Sequence, residues 1–380
     1  MSIYFDNAAT TPLSPEAKAA MVEAMEVFGN PSSTHGEGRK AKVIIESVRK
    51  AIAERLNCLP AEIVFTGSGT EADNWALLTG VRDLGIQHLY TSALEHHAVS
   101  HMAEYVDKNH PVSVHYVPHD EQGVHDLVWL GERLTAHKAS GEKAMVSLMH
   151  ANNEIGTLMD LEALSALCHA QGAFLHVDTV QTMAHLPLDF KATPLHFAAC
   201  SAHKFHGPKG IGFAYVKQGT PLQPFVQGGA QERGHRAGTE NVIGIAGLGA
   251  AFTLCWDDME ADIASTKAVK AHAISRLTAE FPGVQFNGKS GDLDKSLYTV
   301  LNFYHPDLHD GGMLNFQLDI QGVQCSGGSA CSSGAVGGSH VLNGIGSPGG
   351  TRISFSRYST MEEVDRFIDI LKGIANTQTV

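Results

Sequence analysis

Between about residue 40 and residue 216, short apolar runs recur with helical stretches between them, and this alternation constrains the fold more than any other feature. The runs Ile63–Phe65, Leu89–Ser92, Val112–Val117, Met145–Met149, Ala173–Val177 and Gly212–Val216 have the length of buried strands. Strands that alternate with helices predict an α/β architecture, a mostly parallel sheet flanked by helices on both faces. Ligands of such sheets bind beyond the carboxyl ends of the strands. The loops after these runs are therefore where chemistry is expected.

Punctuation along the chain agrees. Ser14-Pro15-Glu16 reads as N-cap, first-turn proline and first-turn acid of a helix carrying Ala17, Ala20, Met21, Ala24, Met25 and Phe28, and Gly29-Asn30-Pro31 stops it. The longest apolar run, Asn241 to Asp257, is Gly-rich and falls short of the roughly 18–20 residues that span a bilayer, so it predicts a buried helix. A charged helical pattern from Asp257 to Phe281 leads into a smaller C-terminal α+β region.

Composition excludes several functions. The 380 residues carry 27 Lys+Arg against 40 Asp+Glu, a net charge of −13, which argues against nucleic acid or a membrane surface as partner. The N-terminus has neither a basic start nor an apolar signal core, so the expected location is the cytoplasm. Six cysteines without a CxxC pair indicate neither a disulfide framework nor a structural zinc site, and no metal site is expected.

Four loops carry candidate chemistry. Thr66-Gly67-Ser68-Gly69-Thr70-Glu71 follows a strand and opens a helix, either as an anion cradle or as an ordinary capped turn; it lacks the Walker lysine and the dinucleotide glycine spacing. Asp178 closes the run His176-Val177-Asp178, where it either caps the next helix or holds the protonated ring nitrogen of a cofactor such as pyridoxal phosphate. Lys204, in Ser201-Ala202-His203-Lys204-Phe205-His206-Gly207, is either a surface lysine or a Schiff-base lysine, and its company with Asp178 favours the second reading. Cys331 lies in Gly327-Gly328-Ser329-Ala330-Cys331-Ser332-Ser333-Gly334, a segment that suits an exposed nucleophile better than a packed core. Arg352 sits in an alternating strand where an inward guanidinium needs an anion, such as a substrate carboxylate.

Together these segments resemble the cysteine desulfurases of the class V aminotransferase-like, pyridoxal-phosphate-dependent family. The resemblance runs from Tyr4-Phe5-Asp6-Asn7-Ala8-Ala9-Thr10-Thr11-Pro12 to Arg352-Ile353-Ser354-Phe355-Ser356. It implies the pyridoxal-phosphate-transferase (aspartate aminotransferase-like) fold, with residues 14–257 as the large cofactor domain. Residues 1–13 and 258–380 would form the small domain bearing the catalytic cysteine loop. By the same resemblance Lys204 would hold the cofactor covalently, Asp178 would pair with its ring nitrogen, and His96 would stack on the ring and assist proton transfer. Gly69, Thr70, Ser201 and His203 would hold the phosphate, with Gln181 and Asn153 flanking the ring. Thr239, in Arg233-Gly234-His235-Arg236-Ala237-Gly238-Thr239, would complete the phosphate site of a neighbouring subunit, which implies a homodimer. Arg352, with Asn30 and Asn153, would bind the carboxylate of L-cysteine, and Cys331 would take its sulfur as a persulfide. The setting of Cys331 resembles the group that supplies iron–sulfur assembly, which implies a scaffold or other sulfur-acceptor protein as partner. Cys325 reads as a strand residue and not as a relay thiol.

Two other readings compete. A selenocysteine lyase, or another lyase or transaminase of the same fold, would share the cofactor machinery. A non-enzymatic metal or sulfur carrier would use the 22 histidines and six thiols, but the histidines are scattered and the His96-His97 pair lacks the spacing of a zinc helix.

Overall fold

The computed structural model describes residues 2–309, 312–327 and 338–378. Strand β1 (Ile3–Tyr4) lies apart from the main sheet, which comprises β2 (Ile63–Thr66), β3 (His88–Thr91), β4 (Ser113–Tyr116), β5 (Ala144–Ser147), β6 (Phe174–Asp178), β7 (Phe197–Ser201) and β8 (Gly212–Val216). Their order is β2-β8-β7-β6-β5-β3-β4. The pairings from β4 through β3, β5 and β6 to β7 are parallel, and β8 is antiparallel to both β7 and β2. This is the mostly parallel sheet that the alternation predicts, and the expected strands recur within a residue or two.

Helices cover both faces. Trp75 and Leu77 of α3 (Gly69–Leu84) and Val99, Ala103 and Val106 of α4 (His97–Asn109) pack against Leu89 and Ala199 on one face. On the other face, Tyr90, Val146, Leu175 and Val177 meet apolar side chains of four helices. These are α2 (Gly36–Arg55), α5 (Leu127–Ser140), α6 (Leu161–Gln171) and α7 (Val242–Asp257), while α1 (Pro15–Met25) begins at the Ser14 cap. The apolar run ending at Asp257 is indeed a buried helix, and no single described helix is long and apolar enough to cross a membrane. Gly249 explains its glycine content: a Cβ there would meet Val48 Cγ2 at 2.5 Å, so α2 approaches α7 only because the side chain is missing.

Helix α7 bends by 75° into α8 (Met259–Glu280). Beyond it, β9 (Gln285–Phe286), β10 (Val300–Tyr304) and β12 (Thr351–Ser354) form a three-stranded sheet, and β11 (Val323–Gln324) pairs in parallel with β1. A second core joins Ile3 and Phe5 to Leu277, Leu301, Phe303, Ile353, Phe355 and the final helix, Met361–Gln378. Phe5 packs edge-on against Phe355 and Phe367, with ring centroids 5.2 and 5.8 Å away.

One buried ion pair fixes the approach to the site. Arg49 of α2 donates to both carboxylate oxygens of Glu232, at 2.7 and 2.8 Å, and to the carbonyl of Ile63. The same carboxylate accepts from the Phe65 amide at 2.8 Å, so it anchors the end of β2. Glu232 and Arg233 both hold left-handed backbone (φ 47° and 57°), a conformation the pair helps to maintain. Arg49→Ala leaves a buried, unpaired carboxylate and should lower unfolding free energy in urea by about 3–5 kcal/mol. The double replacement with Glu232→Gln should recover part of that loss; equal losses in the single and double variants would contradict this account.

Candidate active site

The loops at the carboxyl ends of β2, β5, β6 and β7 converge on a cavity of about 230 Å³. Lys204 ends a short 3-10 turn directly after β7. Its Nζ donates to the carbonyls of Ala8 and Ala9, both at 2.8 Å. Those carbonyls belong to an N-terminal strap stitched across the fold: the Thr11 backbone amide and hydroxyl both donate to the His203 carbonyl, and the Asn7 side-chain Nδ2 donates to that of Ser354. The sequence motif Asp6–Pro12 is thus the piece that joins β12 to the lysine loop.

An anion cradle forms one wall. Ser68 caps α3 by accepting from the Glu71 amide at 3.1 Å. The first N–H groups of the helix, from Gly69 onward, lack intrahelical acceptors and carry positive dipole character. Thr70, Ser201 and His203 line the same cavity, adding hydroxyl and imidazole donors. A Cβ on Gly69 would meet Val180 Cγ2 at 2.5 Å, so the glycine permits that close approach. His203 pairs with the Thr10 hydroxyl at 3.1 Å, and burial together with the Lys204 charge pushes its pKa down to about 4.

Asp178 lies at the floor, at the end of β6, and accepts from the Val180 amide at 2.8 Å. That bond closes a turn and caps no helix, since β7 is the next element, and the carboxylate lines the cavity. Burial pushes its pKa up to about 6, opposed by the Val180 amide and by the Lys204 charge. Around Asp178, Asp73, which also lines the cavity, and Glu95 are buried, and burial together with carboxylate neighbours raises the pKa of both. A carboxylate so placed has a strong demand for a cationic N–H partner.

His96 caps α4: its Nδ1 accepts from the Ala98 amide at 3.1 Å, which leaves the proton on Nε2. Burial, Lys204 and two neighbouring histidines lower its pKa to about 4, so the ring is neutral. Asn153 and Gln181 complete the lining, and Gln181 donates to the Ala8 carbonyl at 3.0 Å.

Arg352 of β12 is 1% exposed and reaches the cavity from the second core. The sequence called for an anionic partner, and the fold supplies one: Asp6 Oδ1 accepts from the guanidinium at 2.9 Å. The Asn153 carbonyl accepts a second bond at 3.0 Å, while Nε has no partner among the described residues. Asp6, Asp73 and the carbonyls of Ala8 and Ala9 are site residues that sequence reasoning missed. Asp6 was quoted only as part of a motif, and its pairing spans 346 residues.

Two expected members stand elsewhere, and a third is not described. Asn30 is exposed and does not line the cavity; its side-chain oxygen accepts from the Ser32 amide at 2.9 Å in a local turn. Thr239 is also exposed and lines a separate cleft of about 250 Å³ with Gly67, Arg236 and Glu240. Cys331 lies outside the described residues. Cys325 is half-buried, its Sγ is 3.6 Å from Asn315 Oδ1, and burial pushes its thiol up to about 12, as suits a structural residue.

A sheet-end lysine, a buried aspartate and a helix-capped anion cradle define a class of protein. The Aminotransferase class-V family profile matches residues 3–367, and the chain belongs to that family. Among curated relatives, it is 37% identical to a cysteine desulfurase of Cereibacter sphaeroides, over 98% of this chain and 96% of that one. It is 36% identical to the cysteine desulfurase IscS of Clostridium botulinum, over 98% and 94% of the two chains. Among solved structures, a NifS-like protein superposes with a TM-score of 0.90 at 32% identity, covering 99% of this chain and all of the other.

Proposed function

We propose that this chain is a pyridoxal-phosphate-dependent cysteine desulfurase, which converts L-cysteine to L-alanine and passes the sulfur to Cys331 as a persulfide. The observation that carries this reading is the convergence of Lys204, Asp178, Arg352 and the α3 N-terminus on one small cavity. The donor set fits pyridoxal phosphate. Helix amides with Thr70, Ser201 and His203 suit its phosphate, Asp178 suits its pyridinium, and the neutral His96 ring is the stacking partner. When bound, that group supplies an electron sink for bonds at the substrate's Cα and Cβ.

Lys204 holds the cofactor and then, as a free amine, moves the Cα proton of the substrate. Arg352 receives the substrate carboxylate while Asp6 and the Asn153 carbonyl keep its guanidinium oriented. The Cys331 thiolate attacks the substrate sulfur; the S–Cβ bond breaks, and Cβ gains a proton to give alanine. Thr239 completes the cradle of a second copy in a homodimer. An iron–sulfur scaffold or another thiol acceptor then removes the persulfide. Labelled cysteine followed by mass spectrometry of the Cys331 peptide tests the reading: a persulfide on Cys331 supports it, and unmodified Cys331 alongside continued alanine formation refutes it.

The strained charge of Asp178 gives a second, physical test. Its pKa lies above the ordinary 3.8, so the folded state binds the proton more tightly than the unfolded chain. In cofactor-stripped protein its contribution is therefore fully favourable below about pH 4 and declines as pH rises towards about 6. Asp178→Asn removes that penalty. Its Tm advantage over the stripped wild type should open between pH 4 and 6 and then level off, while cofactor retention falls at least tenfold. A Tm gap that does not vary with pH would sink the assignment of a raised pKa to this carboxyl.

A further inference from the structure

Three histidines far from the cavity form a cluster that the proposed reaction does not use. His88 opens β3 and His115 lies in the neighbouring edge strand β4, in register with Tyr90. Side chains two apart on a strand share a face, so His88, Tyr90 and His115 project together towards α5, which places His137 over them. The ring of His137 stacks on that of His88 at 3.7 Å, and Tyr90 stacks on His115 at 4.7 Å. All three histidines are part-buried, and one ring nitrogen from each lies within 4.8 Å of the other two.

The hydrogen-bond pattern orients their lone pairs. Glu142, just after α5, lies 2.8 Å from His137 Nδ1 and 3.4 Å from His88 Nε2. A carboxylate can only accept, so both of those outward nitrogens carry their protons. His137 Nε2 and His88 Nδ1 are consequently bare and face inward. Two weak donors occupy them: the Tyr90 hydroxyl at 2.7 Å and His115 Nε2 at 3.1 Å. Burial raises the Tyr90 pKa, so it remains a phenol that donates. The arrangement matches the outer carboxylate that orients and strengthens metal-bound imidazoles.

We propose that His88, His115 and His137 form a binding site for a late first-row divalent cation such as Zn2+, backed by Glu142. Neutral imidazoles are the ligands such ions prefer, and burial lowers the pKa of both His88 and His115. In a tetrahedral zinc site nitrogen ligands stand about 3.4 Å apart. The His88–His115 pair, at 3.1 Å, is already near that spacing, and His137 closes the remainder by side-chain rotation. Binding requires the His115 proton to move to its other ring nitrogen and the Tyr90 hydroxyl to turn aside. The fourth position is left for water. Arg133, the nearest guanidinium on α5, is occupied over the Trp129 ring at 5.2 Å. The cation would tie α5 to the β3–β4 edge, and His88, at the amino end of β3, stands at the end of the sheet away from the cavity.

The test uses the cofactor-loaded protein after EDTA treatment. Calorimetric titration with Zn2+ should show one equivalent per chain at micromolar affinity or tighter. His115→Ala and His137→Ala should each weaken it at least tenfold, while His101→Ala on α4 leaves it intact. Co2+ should give the visible ligand-field bands of a four-coordinate site in the wild type, a readout independent of how the variants fold. Zn2+ should raise the Tm of the wild type and not that of His137→Ala, with sulfur release unchanged in both. Equal Zn2+ affinity in wild type, His115→Ala and His137→Ala, or no tight equivalent in the wild type, overturns the proposal.

Discussion

Cys331→Ser lowers alanine formation from L-cysteine by on the order of 10³-fold or more, while the visible absorbance of the bound cofactor stays intact. The reason lies in the nucleophile. A thiolate is a few per cent populated or better near neutral pH and is intrinsically reactive toward sulfur, whereas a serine hydroxyl is almost never ionised. Among the described residues the cavity lining offers no thiol, its one sulfur being the Met149 thioether. Cys325→Ser is the matched control. That thiol is half-buried and its pKa is pushed up to about 12, so its loss should change turnover little. If Cys331→Ser keeps full sulfide release, the nucleophile is wrongly assigned; if Cys325→Ser is the inactive one, the relay is Cys325.

Lys204→Ala should abolish turnover to the same degree and also remove the protein–cofactor linkage that borohydride fixes. Two roles of the side chain must be separated, because Nζ also bonds to the Ala8 and Ala9 carbonyls. Lys204→Arg does this. Its guanidinium can still donate to those carbonyls but stays protonated and cannot act as an amine nucleophile or base. The arginine variant should therefore keep a near-wild-type Tm with no turnover, whereas the alanine variant loses both. An active Lys204→Arg would show that the lysine acts only by holding the strap.

Much of this was legible in the sequence where signals are local. The alternation of runs and helices located six of the seven main strands, and loop composition located Lys204, Asp178 and the Ser68-Gly69 cradle. Strand β7 escaped because, after Phe197, Ala198-Ala199-Cys200-Ser201 is a run of small residues that gives no strand signal. They suit a central strand over which α3 lies close, a constraint no periodicity records. Asp6 as the partner of Arg352, and Asp73 and Glu95 behind Asp178, depend on contacts between distant parts of the chain. His88 and His115 are 27 residues apart and become neighbours only through strand register. Asn30 stands in a legible motif, while its side chain closes a local turn outside the cavity lining, a contact that the motif does not reveal.

The parallel pairing of β1 with β11 has a consequence for biosynthesis. Ile3 finds its partner Val323, and Phe5 its neighbours Phe355 and Phe367, only when more than 300 further residues have been made. At roughly 5–20 residues per second, about 320 residues separate the two events by roughly 15–60 s. During that interval the first strand has no partner, and the strap that receives Lys204 lacks its anchor at Ser354. The large sheet is thus synthesised first, and the strap is anchored only once residue 354 has been made. Chaperone demand should accordingly persist, and cofactor loading should wait, until those residues are available.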